Sequence, residues 1–344
     1  VLSDGRSYKM AITLGGSSGG GGGGSPFPTM FFQQSTTWAC PVAMEALVYV
    51  IGGGGSGGTS IDNFANAYRS NGGGAGGCSV SKLTLAAQNY TLVVGSGGAQ
   101  KTQGGIDGIA GGASSMSGSG MTTMTGNGGG GGRYKTNTNL LSVAGGTATG
   151  GTLYNNTGGG APAAYSANGR YRSSGGGGVG LWGPGQDGAF ATAVGVTEAS
   201  DQRSAPGGSP LGTGVLGRAA DYSLDYDYQR AVSGIANPSI GVELFPGLER
   251  HSLSYMRPTD TDQWRNLSNS IKTGQVAMWR GSTQVEGAGP FDGGSGLGSS
   301  GHAYAGSGCC GGGGGSSNCG PGNYSHSGGG GAGIIIICPI SIGA

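Results

Sequence analysis

The sequence predicts a mainly β protein whose strands run into a bundle of polyglycine-II helices, with very little α-helix. Glycine supplies 85 of the 344 residues, and three short β-branched stretches adjoin glycine tracts: Ala46–Ile51, Tyr90–Val94 and Ile334–Ile337. Chains this rich in glycine are usually fibrous or disordered. Disordered chains combine high net charge with few β-branched residues, whereas this chain has a net charge of +1. The pattern therefore indicates a stiff, enzymatically inactive extracellular scaffold.

A glycine tract between two strands can adopt the polyglycine-II conformation, a left-handed helix with three residues per turn and outward-pointing amides. Because glycine has no side chain, several such helices can pack side by side through N–H···O and Cα–H···O bonds. Glycine loses more conformational freedom on folding than any other residue, so many tracts must order together. We therefore expect an ordered bundle; the alternative is that the tracts are flexible linkers.

The glycine content divides the chain into four regions. Residues 1–37 are expected to form an N-terminal connector, and residues 38–186 a glycine-rich β/polyglycine domain. Residues 187–292 form an inserted lobe that holds only 14 glycines, and residues 293–344 return to glycine and end in a closing strand.

Strand signals lie on both sides of the glycine tracts. Ser79–Leu85 alternates polar and apolar residues with period two, which is typical of a half-buried strand. Asn89–Val94 is expected to be its hairpin partner, connected through residues 86–88. Ile334–Ile342 closes the chain as a strand interrupted by Pro339, and Thr261–Ile271 is the one plausible helical turn.

The 187–292 lobe carries the candidate binding residues. It holds 12 of the 16 acidic residues and a group of large aromatic side chains. Exposed aromatic rings give large, rigid contact areas and stack on sugar faces. The same rings can instead form a small local core, and the sequence leaves both interpretations open. The candidates are Tyr222, Tyr226, Tyr228, Tyr255, Trp264 and Trp279.

Composition argues against several classes of protein. Near-neutral charge argues against nucleic-acid binding, which needs a clustered basic patch. No apolar run approaches the roughly 18 residues of a membrane helix, so we expect no membrane insertion. The cysteines have no C-x-x-C spacing and the histidines are isolated, so we expect no metal and no cofactor. Cys309, Cys310 and Cys319 can form a disulfide knot, but scattered buried thiols are the simpler interpretation.

No catalytic residue is predicted. Ser79–Lys82, Ser166–Asn168 and Lys272–Gly274 occur in the order of a serine β-lactamase set, but that chemistry requires a serine at the start of a buried helix. Gly54–Gly58 matches a nucleophile elbow, as does any glycine run that contains one serine. A further triplet of acids can pair as hydrolytic carboxylates, although solvated loop charge is the simpler interpretation. That triplet is Asp221, Asp225 and Asp227.

The order of the motifs resembles a known family. The segments are W-x-C-P followed by LVYVIGGGGSGG, then CSVSKLTL with NYTLVVGSGGA, then GGASSM, and finally GGGGAGIIII. This order is similar to the glycine-rich domain of bacteriophage tail fibres, especially the adhesins at the tips of long tail fibres. The opening VLSDGRSYKM resembles a segment found just before such domains, which implies that residues 1–37 connect the protein to a fibre or tail.

The resemblance implies a virion tail protein that recognises a host through variable segments between its glycine motifs. The implied partners are a bacterial surface glycan or outer-membrane protein and the adjacent tail or fibre protein. The implied assembly is either a homotrimer or a tip on a trimeric shaft. One alternative is a self-assembling extracellular filament or wall protein. A second is a glycan depolymerase seated in the 187–292 lobe.

Overall fold

A computed structural model describes residues 29–61, 68–102, 104–136, 142–162, 176–181, 183–188, 203–205, 291, 293–294, 296–299, 303–305, 307–308, 310–319 and 325–342. Within these residues the protein is mainly β and contains no helix. The predicted helical turn at Thr261–Ile271 lies outside them. The strands are β1 (Met30–Phe32), β2 (Thr36–Ala39), β3 (Met44–Ile51), β4 (Thr59–Ile61), β5 (Tyr68–Ser70), β6 (Cys78–Leu85), β7 (Asn89–Val93), β8 (Ser114–Ser117), β9 (Met124–Gly126), β10 (Tyr134–Thr136), β11 (Ala148–Thr149), β12 (Tyr154–Asn156), β13 (Arg203–Ala205), β14 (Gly296–Ser299), β15 (Ala303–Tyr304), β16 (Ser317–Cys319), β17 (Ser325–His326) and β18 (Ile334–Ile342).

Two five-stranded antiparallel sheets pack against each other as a sandwich. The first sheet has the order β1-β18-β3-β6-β12, and the second has the order β11-β9-β8-β7-β2. The predicted strands at 46–51, 79–85, 89–94 and 334–342 are confirmed to within two residues. The interruption at Pro339 is confirmed as well, because the register of β18 against β3 shifts between Pro339 and Ser341.

The predicted hairpin between β6 and β7 is wrong. β6 pairs with β3 and β12 in the first sheet, whereas β7 pairs with β2 and β8 in the second. Residues 86–88 therefore cross from one sheet to the other, and the Tyr90 hydroxyl accepts a 2.9 Å hydrogen bond from the Ala86 N–H across this corner. Leu85 and Tyr90 both point between the sheets. A period-two pattern identifies a strand and its buried face, but it does not identify the partner strand.

The space between the sheets is filled by the inward-facing residues of both. The Trp38 ring stacks on the Tyr90 ring with centroids 5.7 Å apart, and Phe32 packs against Trp38 at 6.0 Å. These three rings close the side of the core beside β1 and β2. The fully enclosed residues are Met44, Ala46, Val48, Val50, Leu85, Tyr90, Leu92, Met116, Met124, Ile335 and Ile337.

The outer face of the first sheet is also covered. Val179, Leu181 and Phe291 pack against it where β3 and β18 approach the glycine tracts. Residues on both faces of these strands are therefore buried, as Tyr49 and Val50 show for β3. This explains why 46–51 and 334–337 are continuously apolar instead of alternating with period two.

The glycine tract at 52–58, here called the central tract, continues directly from β3. Its successive N–H groups donate to three different neighbouring tracts in strict rotation, so every third residue faces the same neighbour. The donor–acceptor distances are 2.8–3.0 Å. The pairs are Gly52–Gly77, Gly53–Gly112, Gly54–Gly331, Gly55–Gly74, Ser56–Ile109, Gly57–Gly328, Gly58–Asn71 and Thr59–Ile106.

Three further tracts surround the central tract and donate to its carbonyl groups. Gly129 and Gly132 donate from one tract, Gly98 from a second, and Gly314 from a third. The central tract is thus hydrogen-bonded to six others, and together they form what we call the glycine core. A Cβ atom on Gly54, for instance, would overlap the backbone of Gly312. Glycine is required there because neighbouring backbones occupy the space of a side chain.

Candidate functional site: the tip of the glycine core

The described part of the molecule has two distinct ends. Met44 and Ile342 lie at the end of the sandwich away from the glycine core, here called the base, since Ile51 and Ile334 at the other end of the β3–β18 pair adjoin the glycine tracts. The glycine tracts lead to the opposite end, the tip, where the short strands β4, β5, β10, β14, β15, β16 and β17 lie. Residues 62–67, 137–141, 163–175 and 320–324 each connect chain segments that end at the tip.

A layer of buried hydroxyl groups lies beneath the tip. The Ser70 hydroxyl donates to the Ser317 carbonyl at 2.8 Å, and the Ser316 hydroxyl donates to the Ser70 carbonyl at 3.0 Å. The hydroxyls of Ser317 and Ser325 are 2.6 Å apart, and that of Ser60 lies 3.4 Å from Ser70 Oγ. All five serines are fully buried. Buried polar groups need partners, and these serines supply them to one another where the regular backbone pairing ends.

The turn between two tracts forms a small platform at the tip. Gly105 adopts a φ of +79°, a conformation that glycine tolerates and other residues rarely adopt. A Cβ on Gly105 would be 3.4 Å from the Tyr134 ring, so this ring lies directly against the turn. Asp107 is exposed, and its Oδ1 accepts a 2.7 Å hydrogen bond from the Tyr134 N–H. Arg133 is exposed, and its N–H donates to Asn71 Oδ1 at 2.6 Å.

This platform offers groups that suit a polar ligand. Tyr134 supplies an aromatic ring, Asp107 an acceptor and Arg133 a donor, while Ile106 is 37% exposed beside them. Aromatic faces combined with hydrogen-bonding groups fit both sugars and peptides. Sequence reasoning missed these residues. The available signal was the placement of bulky or charged residues directly after a glycine tract, as in Arg133 and Tyr134 after 128–132.

The six aromatic candidates of the 187–292 lobe lie outside the described residues. The chain enters the lobe after Gly188, whose N–H donates to the Gly160 carbonyl at 2.9 Å. It returns at Phe291, whose carbonyl accepts from Val179 at 2.9 Å beside the first sheet. The binding role of Tyr222, Tyr226, Tyr228, Tyr255, Trp264 and Trp279 therefore stays a prediction, and so does the alternative that they form a local core.

Four of the cysteines, Cys40, Cys78, Cys319 and Cys338, are free thiols. Cys309 lies outside the described residues, so its part in a disulfide knot stays a prediction. Burial raises the pKa of the Cys78 thiol to about 12 and that of Cys319 to about 11, the latter against a hydrogen bond with Ser325 that lowers it. A thiolate is the nucleophilic and metal-binding form of cysteine. These two thiols therefore remain protonated and unreactive at neutral pH.

The fragments that mimic catalytic motifs do not converge where they are described. Ser79 and Lys82 are an odd number of residues apart on β6, so their side chains lie on opposite faces. Ser79 Oγ donates to the Thr149 carbonyl at 2.9 Å, and Lys82 Nζ pairs with Glu45 at 3.2 Å. Ser56 lies inside the central tract and is fully buried.

The remaining fragments lie outside the described residues. They are Ser166, Asn168, Lys272 and the acids Asp221, Asp225 and Asp227. Across the described ranges there is no group of three residues suited to hold a metal ion. The same ranges contain no helix with the length and hydrophobicity that a membrane crossing requires.

Comparison with known proteins identifies the family. A family model described as a glycine-rich domain matches residues 28–241, which is more than half of the chain. The matched range includes the central tract, both sheets except β18, and the Tyr134 platform. No curated protein matches the chain. The chain therefore belongs to the glycine-rich domain family.

Proposed function

We propose that this protein is a non-enzymatic tail-fibre adhesin of a bacteriophage, with a tip that binds a bacterial surface glycan or outer-membrane protein. Its place is the virion tail, and its base joins the adjacent tail or fibre protein. The observation that carries the proposal is the separation of the two ends. The base is formed by the regular pairing of β3 with β18, whereas the opposite end, the tip, carries the short strands and the platform of Asp107, Arg133 and Tyr134.

We further propose that the glycine core is a bundle of polyglycine-II helices. In that conformation three residues complete one turn, so successive amides point in three directions. The rotation of the donors Gly52–Thr59 among three neighbours follows this period. Six neighbours around one tract correspond to hexagonal packing of side-chain-free helices. The two sheets lead into this arrangement, because the pairing of Ile51 with Cys78 continues as the bond from Gly52 to Gly77.

Amide hydrogen exchange tests the proposed bundle. Amides protected by buried hydrogen bonds exchange only through local or global opening. We expect peptides from 52–58 and 72–77 of the native protein to exchange as slowly as β3 and β6. Exchange of these tracts at the rate of unstructured peptide would contradict the bundle and leave the flexible-linker alternative.

A rigid core with connections at one end suits recognition. Binding residues are commonly placed on loops that a rigid scaffold positions. Here the buried serine layer fixes the strands of the tip, and Asp107 and Arg133 are exposed beside the half-buried Tyr134 ring. The resemblance to tail-fibre adhesins assigns receptor contact to segments between the glycine motifs. Both lines of reasoning favour the tip over the sandwich as the contact surface.

Adsorption to bacterial cells tests the function. Fluorescently labelled full-length protein is incubated with a panel of bacterial strains and with lipopolysaccharide and outer-membrane extracts from them. We expect saturable binding to one strain or a few, with Tyr134→Ala lowering the affinity at least tenfold. Thr91→Ala on the second sheet, an exposed position far from the tip, is the matched control and should bind normally.

The same assay tests the lobe and the rival functions. Triple replacement of Tyr226, Trp264 and Trp279 by alanine should weaken adsorption if the lobe contacts the receptor, and should leave it unchanged if the rings form a local core. Filaments of purified protein that adsorb to no strain would contradict the adhesin and favour the structural filament. Shortening of host polysaccharide during incubation would instead indicate a depolymerase.

A further inference from the structure

Charge is distributed unevenly over the described part of the molecule. The sandwich carries Lys82 and Glu45, which form an ion pair with their charged atoms 3.2 Å apart. Asp187 accepts a hydrogen bond from the Gly160 N–H in an outer glycine tract. The third acid in the described ranges, Asp107, lies at the tip, together with all the remaining basic residues of those ranges. These basic residues are Arg69, Lys101, Arg133, Lys135 and Arg203.

Backbone pairing places the basic residues at this end. Arg69 and Lys135 belong to β5 and β10, and Arg203 belongs to β13, which pairs with β14 in the four-stranded sheet of the tip. The Lys101 N–H donates to Ser327 Oγ at 3.0 Å, and Ser327 precedes the glycines that bond to the end of the central tract nearest the tip. Five basic residues and one acid give the described part of the tip a formal charge of +4.

Two of these cations are directly opposite each other in a β-ladder. Arg69 and Lys135 are register partners in the antiparallel pair of β5 and β10. Arg133 lies two residues before Lys135, and its carbonyl accepts from the Asn71 N–H at 3.0 Å, which continues the same ladder. Residues two apart on a strand share a face, so the three basic positions lie on one face of the ladder. Because like charges directly opposite each other in a sheet are destabilising, a bound anion would stabilise this ladder.

The groups around Arg133 are arranged for such an anion. Its N–H donates to Asn71 Oδ1 at 2.6 Å, and the N–H of the next residue, Tyr134, donates to Asp107 Oδ1 at 2.7 Å. These two bonds fix the backbone from which the exposed Arg133 side chain extends, and they engage one oxygen of the neighbouring carboxylate. A guanidinium can form two parallel hydrogen bonds with a phosphate or a carboxylate. The site therefore offers preorganised positive charge beside an aromatic ring.

Building on the proposed adhesin role, we propose that the tip binds a bacterial surface glycan that carries closely spaced anionic groups. Arg69, Arg133 and Lys135 contact the phosphate or carboxylate substituents, and the Tyr134 ring packs against a sugar ring. An uncharged glycan would leave the opposed cations of the β5–β10 ladder without compensation. Charge complementarity thus favours an anionic ligand over a neutral one.

Thermal unfolding of the full-length protein with sodium pyrophosphate tests the anion site without any cell. At equal ionic strength, pyrophosphate should raise the thermal midpoint of the wild type above its value in sodium chloride, since a ligand that binds only the folded state stabilises it. The double variant Arg133→Gln with Lys135→Gln should lose most of this shift. Lys135→Arg keeps the charge, and Lys82→Gln removes a charge from the sandwich, so both should keep the full shift. Circular dichroism establishes that each variant folds. No shift in the wild type would overturn the proposal and indicate that acidic residues elsewhere in the chain neutralise the tip.

Binding to lipopolysaccharide and capsular polysaccharide purified from an adsorbing strain identifies the anionic group. The dissociation constant should rise about tenfold or more between low and high salt, because salt screens exposed charges, and by a similar factor in the double variant at low salt. Loss of binding after removal of phosphate with hydrofluoric acid would assign phosphate, and loss after reduction of carboxyl groups would assign carboxylate. Binding that survives both treatments, or equal affinity for duplex DNA, would overturn the proposal.

The two experiments separate this proposal from the adhesin role on which it rests. Adsorption to cells that is insensitive to salt and is retained by the double variant would overturn the anionic ligand and leave the adhesin role intact. A pyrophosphate shift that depends on Arg133 and Lys135, in a protein that adsorbs to no strain, would support the anion site and contradict the adhesin role.

Discussion

Adding one methyl group at adjacent positions of the tract 328–331 should have opposite effects on stability. A Cβ on Gly330 would lie under 3.0 Å from three backbone atoms of Gly54 and Gly55 in the central tract. A Cβ on Gly329 would have its nearest neighbour, the Gly98 oxygen, at 3.5 Å, which is ordinary van der Waals contact. Both glycines are half-buried, and neither has a positive φ. The comparison therefore isolates the space available between tracts.

The magnitude follows from what the methyl group displaces. Overpacking a rigid interior costs about 1–3 kcal/mol. To relieve the overlap at Gly330, its tract must also move away from the central tract, which weakens the bonds from Gly54 to Gly331 and from Gly57 to Gly328. At about 1 kcal/mol for each bond, Gly330→Ala should lower the free energy of unfolding by about 3–5 kcal/mol. Gly329→Ala should raise it by about 0.4–1 kcal/mol, because alanine has less conformational freedom in the unfolded chain.

Urea unfolding followed by circular dichroism measures both changes on the full-length protein. At about 2 °C per kcal/mol, the thermal midpoint of Gly330→Ala should fall by about 6–10 °C, while that of Gly329→Ala should not fall. Equal losses in the two variants would mean that glycine is needed for its conformation rather than for close approach. No loss in Gly330→Ala would mean that the tracts are not packed in solution, and the reasoning on the glycine core would be refuted.

Three further changes test the core, the sandwich and the buried thiols. Ser56→Ala removes the acceptor of the 2.9 Å bond from the Ile109 N–H inside the core, and should cost about 1–3 kcal/mol in urea unfolding. Met116→Ala empties a fully buried position between the sheets, and should cost about 2–5 kcal/mol without altering adsorption at the tip. Burial raises the pKa of the Cys78 thiol from 9.0 to about 12, so on raising the pH the unfolded chain loses this proton before the folded protein does. The contribution of the protonated thiol to the free energy of unfolding is therefore complete below pH 9 and is lost as the pH rises through 12. Unfolding measured between pH 8 and pH 11 should therefore depend less steeply on pH in Cys78→Ala than in the wild type.

The strands were predictable because their signals are local. Continuous β-branched residues at 46–51 and 334–337 mark strands buried on both faces, and the structure places Val179 and Phe291 over the second face. The partner of each strand was not predictable in the same way. Residues 86–88 are as suitable for a crossover between sheets as for a hairpin, and the eight-residue pairing of β6 with β3 outweighs local connectivity.

The spacing of the non-glycine residues in a glycine tract reflects how deeply that tract is buried in the glycine core. In the central tract, only Ser56 interrupts the glycines from 52 to 58, since backbones surround it on every side. In the tract at 105–113, Gly105, Gly108 and Gly111 recur every third residue. The isoleucines between them, Ile106 and Ile109, are 37% and 44% exposed. Glycine at every third position thus indicates a tract at the surface of the glycine core, where only one side of the tract packs against other backbones.

The candidate site was harder to predict because its polar residues suggest an exposed linker, whereas several of them are buried. Ser60, Ser70 and Ser317 have the composition of a polar linker, yet they are fully buried and bonded to one another. These serines find hydrogen-bond partners because the fold brings together segments that are more than 240 residues apart in the sequence, as in the bond from Ser70 to Ser317. Exposed residues at the tip, such as Asp107 and Arg133, meet no packing constraint of this kind. The constraint that makes the glycine core recognisable in the sequence is therefore absent from the part of the chain that we expect to bind.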